Sequence, residues 1–391
     1  MIDARSPQRI VVAGALAQRP GVPGHAWVFL NWLLGLRLLG IDVVFVDRLE
    51  RDMLDVADGC VGASSQMRWI ESVMTAAGFA EDYAVLVDGG AMCLGMTRDE
   101  LRRRTEGAAA LLNFMGYLDD GEVCGAVGRR VFVDIDPGFG QLWRAQGLHD
   151  PFAGHDVVAT VGLGAEVAGS IVGATGRPTV ATLPPVVVDC WDAAEPAVRA
   201  RPRVTSIATW RGPFGPVEHE GARYGLRVHE FRRFADLPRQ VPGVDFELAL
   251  DIDPADHADA TALRCGGWGL AEPRDVVGDL AAYRAFIEAS SAELVVAKEM
   301  YVRTRSGWFS DRSACYLAAG RPVIAQDTGF SEHLPTGEGL LRFGDPDEAV
   351  AAVDAVAGDL RRHARAARAL ARSHFDARRV LPRLLDRLGV V

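Results

Sequence analysis

Cysteine is scarce in this sequence, with six residues in 391, and the six are scattered. No two of them form a CxxC pair or another metal-ligand spacing, which excludes the common zinc-site patterns. Their separation also argues against a small scaffold held together by disulfides. Isolated cysteines are typical of reduced, mostly buried thiols, so we expect a cytoplasmic protein.

Long hydrophobic runs are absent as well. The most apolar stretch, 26–40, contains Asn31 and Arg37 and is too short to cross a bilayer, so it predicts a buried helix. The first residues lack the charged and then apolar layout of a signal peptide. We therefore expect no integral membrane segment.

Basic residues are fewer than acidic ones. Lys and Arg total 42 against 52 Asp and Glu, which gives a net charge of −10. A protein that binds nucleic acid needs a basic footprint for the phosphate backbone, so this balance argues against nucleic acid as the main partner. A local basic pocket for a small anion stays compatible with it.

Apolar β-like runs alternate with helix-like segments in both halves of the chain. Examples are the runs 9–14, 42–47 and 131–136, which are rich in Val, Ile and Phe. Continuous apolar runs between helices are typical of a parallel sheet that is covered on both faces. A proline-rich stretch over 184–202 interrupts the series and predicts a linker.

The pattern therefore predicts an α/β fold with two Rossmann-like, doubly wound domains that face each other across a cleft. We expect an N-terminal domain over 1–190, a C-terminal domain over 200–360 and a helical tail over 361–391 with a solvated face. Parallel sheets bind ligands at the carboxyl ends of their strands, so the cleft is the expected site.

One short stretch of the second half suggests an anion site. Residues 306–330 read SGWFSDRSACYLAAGRPVIAQDTGF. Gly307 permits a turn that approaches a ligand closely, and Ser310 or Asp311 can cap the helix that follows. The free N–H groups at that helix start bind anions, and Ser310 and Ser313 add hydroxyl donors. The upstream cations are Lys298, Arg303 and Arg305. An ordinary helix start with solvated arginines is the alternative.

This stretch resembles the nucleotide-sugar loop of GT-B glycosyltransferases of the family 1 and 4 type. In those enzymes a Gly-rich turn and a helix N-terminus hold the donor diphosphate, and a Gly-x-Pro, a strand and an acidic residue follow. The matching positions are Gly307, Ser310, Gly320, Pro322 and Asp327.

The stretch departs from that family at two points. Arg303 or Arg305 stands where many members have a histidine, and Ser313 or Cys315 where many have a glutamate that binds the donor ribose or sugar. The donor's identity and its ribose contact therefore stay open.

The resemblance implies a GT-B architecture and a metal-independent transferase. Such an enzyme moves a sugar from a nucleoside-diphosphate sugar to a small-molecule acceptor, as in natural-product biosynthesis, and needs no cofactor beyond this co-substrate. The second domain would bind the donor and the first the acceptor. The implied donor-binding residues are Arg211, Gly212, Trp268, Lys298, Arg303, Arg305, Ser306, Gly307, Ser310, Asp311, Ser313, Asp327 and Thr328.

Two of these positions have a second interpretation. Arg211 and Gly212 lie in the first loop of the second domain, close to the diphosphate in the family, but a plain Pro/Gly loop fits the sequence equally. Trp268 lies where the family recognises the base, and it can stack on that base or be buried in the core.

The candidate catalytic residues are His25 and Asp136. His25 begins the first long helix at the cleft, where an imidazole can take a proton from an acceptor hydroxyl. Inversion at the sugar carbon would follow from that role, and retention if His25 only caps the helix. Asp136 ends the DxD motif of 134–136 beside the cleft, where an acceptor-side or second-base role stays open.

Several alternatives stay open at this level. An NDP-sugar epimerase has the same two-domain fold, and the Gly162–Gly164 loop would suit an NAD-dependent oxidoreductase, although the third glycine of that fingerprint is missing. A homodimer is also compatible with the sequence. The hypothesis of a small, partly apolar acceptor rests on these aromatic residues: Trp27, Phe29, Phe114 and Phe139.

Overall fold

Two β-sheets organise the chain, one on each side of the proline-rich stretch. The protein is described by a computed structural model over residues 8–56, 60–191 and 200–390. Each sheet is built from strands whose side chains are mostly buried on both faces, as expected where helices cover both sides.

The first unit contains residues up to the linker. Its strands are β1 (Arg9–Ala13), β2 (Asp42–Leu49), β3 (Tyr83–Val87), β4 (Met92–Gly95), β5 (Ala110–Phe114), β6 (Arg130–Asp134), β7 (Val157–Thr160) and β8 (Thr179–Ala181). Its helices are α1 (Pro23–Leu38), α2 (Ser65–Ala76), α3 (Arg98–Thr105), α4 (Gly121–Ala126) and α5 (Phe139–Ala145). The strand order is β4-β3-β2-β1-β5-β6-β7-β8, parallel except for the β3–β4 pair.

The second unit follows the linker. Its strands are β9 (Arg203–Thr209), β10 (Val217–His219), β11 (Ala222–Tyr224), β12 (Asp245–Asp251), β13 (Gly269–Ala271), β14 (Ala292–Val295), β15 (Val323–Gln326) and β16 (Leu340–Phe343). Its helices are α6 (Arg227–Phe231), α7 (Leu237–Gln240), α8 (His257–Cys265), α9 (Pro273–Val276), α10 (Leu280–Glu288), α11 (Glu299–Arg303), α12 (Asp311–Ala318), α13 (Pro346–Gly358), α14 (Leu360–Leu370) and α15 (Ala377–Arg387). The parallel sheet has the order β13-β12-β9-β14-β15-β16, and β10 and β11 form a separate hairpin.

The last two helices connect the units. Helix α14 packs on α12 and β16 of the second unit, whereas α15 packs on α1 of the first. The contact between α1 and α15 is close, because a Cβ at Gly35 would lie 2.6 Å from Leu381 Cδ1 and 2.8 Å from Ala377 Cβ. The stretch expected to form one solvated tail therefore has an apolar face on each unit.

Helix α1 is the most apolar helix of the first unit, and most of its residues are buried. It lies under α15 and also contacts α10 and α12 of the second unit. In the described part of the chain, no helix is long and apolar enough to cross a membrane.

The contact of α1 with α15 predicts opposite effects for two matched substitutions. Gly35→Ala should lower the free energy of unfolding by about 1–3 kcal/mol, because the added methyl overpacks the interface. Gly125→Ala in α4 meets nothing within 4 Å and should raise it by about 0.5–1 kcal/mol through helix propensity alone. Urea unfolding measures both values, and equal stabilisation by the two substitutions would contradict the packing account.

Candidate active site

A cavity of about 620 Å³ lies between the two units, at the carboxyl ends of their strands. The first unit contributes the loop 19–24, between β1 and α1. The second contributes residues that end or follow β9, β12, β13 and β14, together with the first turn of α12. This is the edge at which parallel sheets bind ligands.

Positive charge dominates the polar lining of the cavity, although the whole chain carries a net charge of −10. Among the described residues, twice as many cationic side chains as carboxylates line it. A cavity with this charge concentrates anions. The cations are Arg19, Arg211, Arg227, Arg274, Lys298 and Arg312, and the carboxylates are Asp251, Glu272 and Asp311.

Arg227 is a cavity cation with an unused hydrogen-bond donor. It is the first residue of α6, and its buried Nε has no hydrogen-bond partner. Within the described ranges, no carboxylate lies at ion-pair distance from its guanidinium. Burial and then the neighbouring Arg312 lower the pKa of Arg227 to about 10. A buried donor without a partner costs free energy, so an anion from outside would complete this site.

Two other arginines are held in place by carboxylates of the second unit. Arg312 Nε donates to Glu293 Oε1 at 2.5 Å, and Glu293 is fully buried on β14. Arg211 Nε and Nη2 donate to the two carboxylate oxygens of Asp256 at 2.7 and 2.5 Å. Such pairs orient a guanidinium before a ligand arrives and reduce the ordering cost of binding.

Lys298 follows β14 and joins the two units. Its Nζ lies 2.5 Å from Asp136 Oδ2 of the first unit, and the Tyr301 hydroxyl donates to Asp136 Oδ1. Burial and then Asp136 raise the pKa of Tyr301 well above its ordinary value, so this hydroxyl stays protonated and can donate. The DxD motif expected from the sequence thus holds a lysine and a tyrosine.

The first turn of α12 presents polar groups to the cavity. Ser310 occupies the N-cap position, but its side chain caps no N–H, which leaves the hydroxyl for other partners. The Asp311 carboxyl lines the cavity, and burial raises its pKa to about 6 against the opposing effect of Arg312. Further along the helix, Ser313 and Cys315 are buried and do not line the cavity.

Comparison with known proteins agrees with this arrangement. Residues 233–386 match a family described as glycosyl transferase-like. No curated protein matches the sequence. Among solved structures, HepE of Anabaena in complex with UDP-glucose is 14% identical, with a TM-score of 0.62 over 98% of this chain and 100% of that one.

Two further solved structures are similar over the whole chain. An alpha-glucosyltransferase in complex with UDP and a 13-mer DNA is 10% identical, with a TM-score of 0.60 over 98% of this chain and 100% of that one. A structure from E. coli, described as trehalose-6-phosphate bound with UDP-2-fluoro glucose, is 11% identical, with a TM-score of 0.58 over 98% of this chain and 99% of that one.

The chain has the GT-B fold. The family match in the second unit and the shared fold across both units confirm the predicted resemblance and fold class, and the family match supports the predicted enzyme class. In this GT-B chain the predicted donor residues that line the cavity are Arg211, Gly212, Lys298, Ser310 and Asp311.

Arg303 and Arg305, predicted to bind the donor, lie outside the cavity. Arg303 pairs with Glu299 one turn earlier on α11, and Arg305 pairs with Glu332. Both guanidinia are about half exposed or more. Arg227, which sequence reasoning did not identify, lines the cavity instead.

The turn at Gly307 approaches the first unit and not a ligand. Gly307 has a φ of +70°, and a Cβ there would lie 2.5 Å from Gly164 N. Gly164 N donates to Ser306 O at 2.9 Å, and the Thr328 hydroxyl donates to Trp308 O at 2.7 Å. The structure therefore places Ser306 and Gly307, predicted to bind the donor, at a contact between the units, and Thr328 in a hydrogen bond within the second unit.

The same contact between the units argues against the alternative of an NAD-dependent oxidoreductase. Gly162 pairs with Trp308 in an isolated antiparallel bridge, and a Cβ at Gly164 would lie 2.6 Å from Arg305 O. These glycines pack against the second unit, so the loop has no free space for a dinucleotide.

Trp268 and Asp327 have structural positions. The Trp268 ring is buried between Phe231 and Phe246, and its Nε1 donates to Ala235 O at 3.0 Å, so it cannot stack on a base. Asp327 accepts hydrogen bonds from Gly329 N and the Ser331 hydroxyl, away from the cavity lining.

The aromatic residues taken as evidence for an apolar acceptor belong to the core. Trp27 packs on Trp191, and Phe29 packs on Phe114. All of these side chains and Phe139 are buried, so that part of the hypothesis is wrong.

His25 lies beside the cavity but not in its lining. Its Nε2 donates to Ala15 O at 3.2 Å, and its ring meets the edge of Phe29 at 5.0 Å between centroids. Burial, followed by the charge of Arg19, lowers the pKa of His25 to about 4. Such an imidazole is neutral at physiological pH and a weak base.

We expect Arg227 to lower the stability of the protein and to strengthen its binding of anions. Arg227→Met removes an uncompensated buried charge and should raise the free energy of unfolding by about 1 kcal/mol or more. The same change should weaken binding of inorganic pyrophosphate by about 10–100-fold, as expected for lost charge-assisted hydrogen bonds. Arg303→Met, outside the cavity, is the matched control and should leave pyrophosphate binding unchanged. A less stable Arg227→Met protein with normal pyrophosphate binding would refute this role.

His25 should remain neutral down to mildly acidic pH. Its pKa of about 4 lies below the unfolded value of 6.5, so the unfolded chain takes up this proton first and stability falls as pH drops between the two values. Imidazole NMR signals of the folded protein should therefore show no His25 titration near pH 6.5, and Arg19→Gln should raise the midpoint. A midpoint at the ordinary value would restore His25 as a candidate base.

Proposed function

We propose that the protein transfers a sugar from UDP-sugar to a hydroxyl group of a small-molecule acceptor. The observation that carries the proposal is Arg227, a cavity cation whose buried Nε has no hydrogen-bond partner, at the carboxyl edge of the donor-side sheet. A diphosphate matches the positive charge, and a whole nucleoside-diphosphate sugar is of suitable size for a cavity of about 620 Å³. The UDP and UDP-glucose complexes named for the similar structures support uridine as the base.

The cations would act on the leaving group. When the bond between the anomeric carbon and the β-phosphate oxygen breaks, negative charge grows on the diphosphate. Arg227, Arg312 and the N–H groups at the start of α12 would stabilise that charge, because preorganised donors need no reorganisation during the step.

The Arg227 and Arg312 side chains support a metal-independent reaction, since they supply the positive charge that a divalent ion would otherwise provide. The two carboxylates of the DxD motif already have protein partners and are not free to hold a metal ion. Asp134 accepts hydrogen bonds from Gln141 Nε2 and Thr160 Oγ1, each at 3.0 Å, and Asp136 holds Lys298.

The nucleoside would lie toward the end of β13. Glu272 and Arg274 line the cavity there and offer polar groups to a base. The Asp311 carboxyl, one turn before the position where many family members have a glutamate, would accept a hydrogen bond from the ribose. This assignment replaces Trp268 and Ser313 as the nucleoside contacts.

The acceptor would enter from the first unit, beside the loop 19–24. Asp47 fixes the approach to this loop by accepting a hydrogen bond from Ala17 N at 2.6 Å. Because His25 is a poor base, we propose retention at the sugar carbon. The anomer first released in donor hydrolysis, observed by NMR, tests this point.

Titration calorimetry with UDP, GDP, ADP, dTDP, CDP and NAD tests the donor assignment, with EDTA and then Mg²⁺ added. We expect UDP to bind with micromolar affinity in EDTA and UDP-sugar to be hydrolysed slowly in the absence of an acceptor. Arg227→Met should weaken UDP binding and slow this hydrolysis. Binding of NAD alone, a strict need for Mg²⁺, or conversion of UDP-sugar to its epimer would each contradict the proposal.

We place the enzyme in the cytoplasm, because its six cysteines are unpaired and two of them, Cys60 and Cys265, are exposed. Recovery of the active enzyme from a secreted fraction would contradict this placement.

A further inference from the structure

We propose that Asp136 is an internal counter-anion of the donor site. It holds Lys298 in the structure, and on donor binding the diphosphate would take its place. The inference rests on the proposed function and assigns Asp136 a positioning role. It would make donor binding the step that frees the Asp136 carboxylate for the acceptor side.

The Lys298–Asp136 ion pair is mostly buried, and the carboxylate has no unpaired oxygen. The Lys298 and Asp136 side chains are 15% and 20% exposed, and both carboxylate oxygens have partners, Lys298 on one and Tyr301 on the other. Lys298 also lines the donor cavity, whereas Asp136 does not. The ammonium group therefore lies between a carboxylate of the first unit and the space that a diphosphate would fill.

Lys298 is the only lysine among the 42 Lys and Arg residues of the chain. Every other cation of the cavity is an arginine, whose planar fork favours a fixed bidentate pair. A lysine has a compact charge on a flexible stem and three rotating donors, so it can change partners with little strain. This chemistry suits a cation that exchanges one anion for another.

The surroundings of Lys298 allow such an exchange. Its Nζ lies 5.0 Å from the Phe139 ring centroid and 5.2 Å from that of Tyr301, so ring faces partly stabilise the charge when the carboxylate is lost. The Arg312–Glu293 pair differs, because both partners belong to the second unit and Glu293 is fully buried. Only a pair that crosses the units can transmit donor binding to the acceptor side.

An arriving diphosphate would compete directly with Asp136. It brings negative charge to the cavity side of Lys298, which attracts the ammonium and repels the carboxylate. Asp136 would keep its hydrogen bond from Tyr301 and gain a free oxygen. In that state it can accept a hydrogen bond from an acceptor hydroxyl.

Titration calorimetry with UDP gives the first test. Asp136→Asn should tighten UDP binding about five- to tenfold, because no carboxylate has to be displaced from Lys298. Lys298→Met should weaken binding, and Asp136→Asn should have no further effect in that background. Glu332→Gln removes a carboxylate from an ion pair outside the cavity, with Arg305, and should leave UDP affinity unchanged.

Reductive ¹³C-methylation gives a second test, which observes the lysine directly in the wild-type protein and in one variant. Because the chain has a single lysine, the label reports on Lys298 and otherwise only on the N-terminal amine. We expect UDP to move the Lys298 signal in the wild-type protein. We expect Asp136→Asn without UDP to move it as well, because the carboxylate that holds the ammonium is lost.

The outcomes separate the inference from the proposed function. If wild-type protein binds no nucleoside diphosphate, the proposed function fails and the inference fails with it. If UDP binds but Asp136→Asn has equal or weaker affinity and the methyl signal does not respond to UDP, the donor site stands and the counter-anion role is wrong.

Discussion

The arrangement of charges in the cleft depends on Arg227, whose buried Nε has no hydrogen-bond partner. A guanidinium whose Nε is buried without a partner is tolerated only where the surrounding structure holds it firmly. Here Arg312, fixed by Glu293, adds a second positive charge nearby, and both lower the cost of bringing a diphosphate into the cavity. The acidic chain thus concentrates positive charge where the proposed reaction develops negative charge.

The two units must lie close together for this cavity to exist. Glycine makes that approach feasible at Gly307 and Gly164, where side chains would collide with the backbone of the opposite unit. Helix α15 returns to α1, so the C-terminal segment also holds the units together. The Lys298–Asp136 pair is a polar contact within this interface, and its lysine lines the cavity.

Sequence reasoning predicted the fold class and the helix start at Ser310 because both depend on local patterns. Continuous apolar strands and a capped helix leave a periodic signal. The roles of Gly307 and Trp268 could not be predicted, because they depend on which surface of the other unit or core meets them. Arg227 was missed since a single arginine at a short helix has no spacing to mark it, although the solitary Lys298 was visible in the composition.

The most direct test of this account is a crystal structure of the protein with UDP. We expect the β-phosphate at about 3 Å from the Arg227 guanidinium, as in charge-assisted hydrogen bonds, with Lys298 turned toward it and away from Asp136. A diphosphate bound elsewhere, with Arg227 still unpaired, would contradict the central claim that this buried charge defines the donor site.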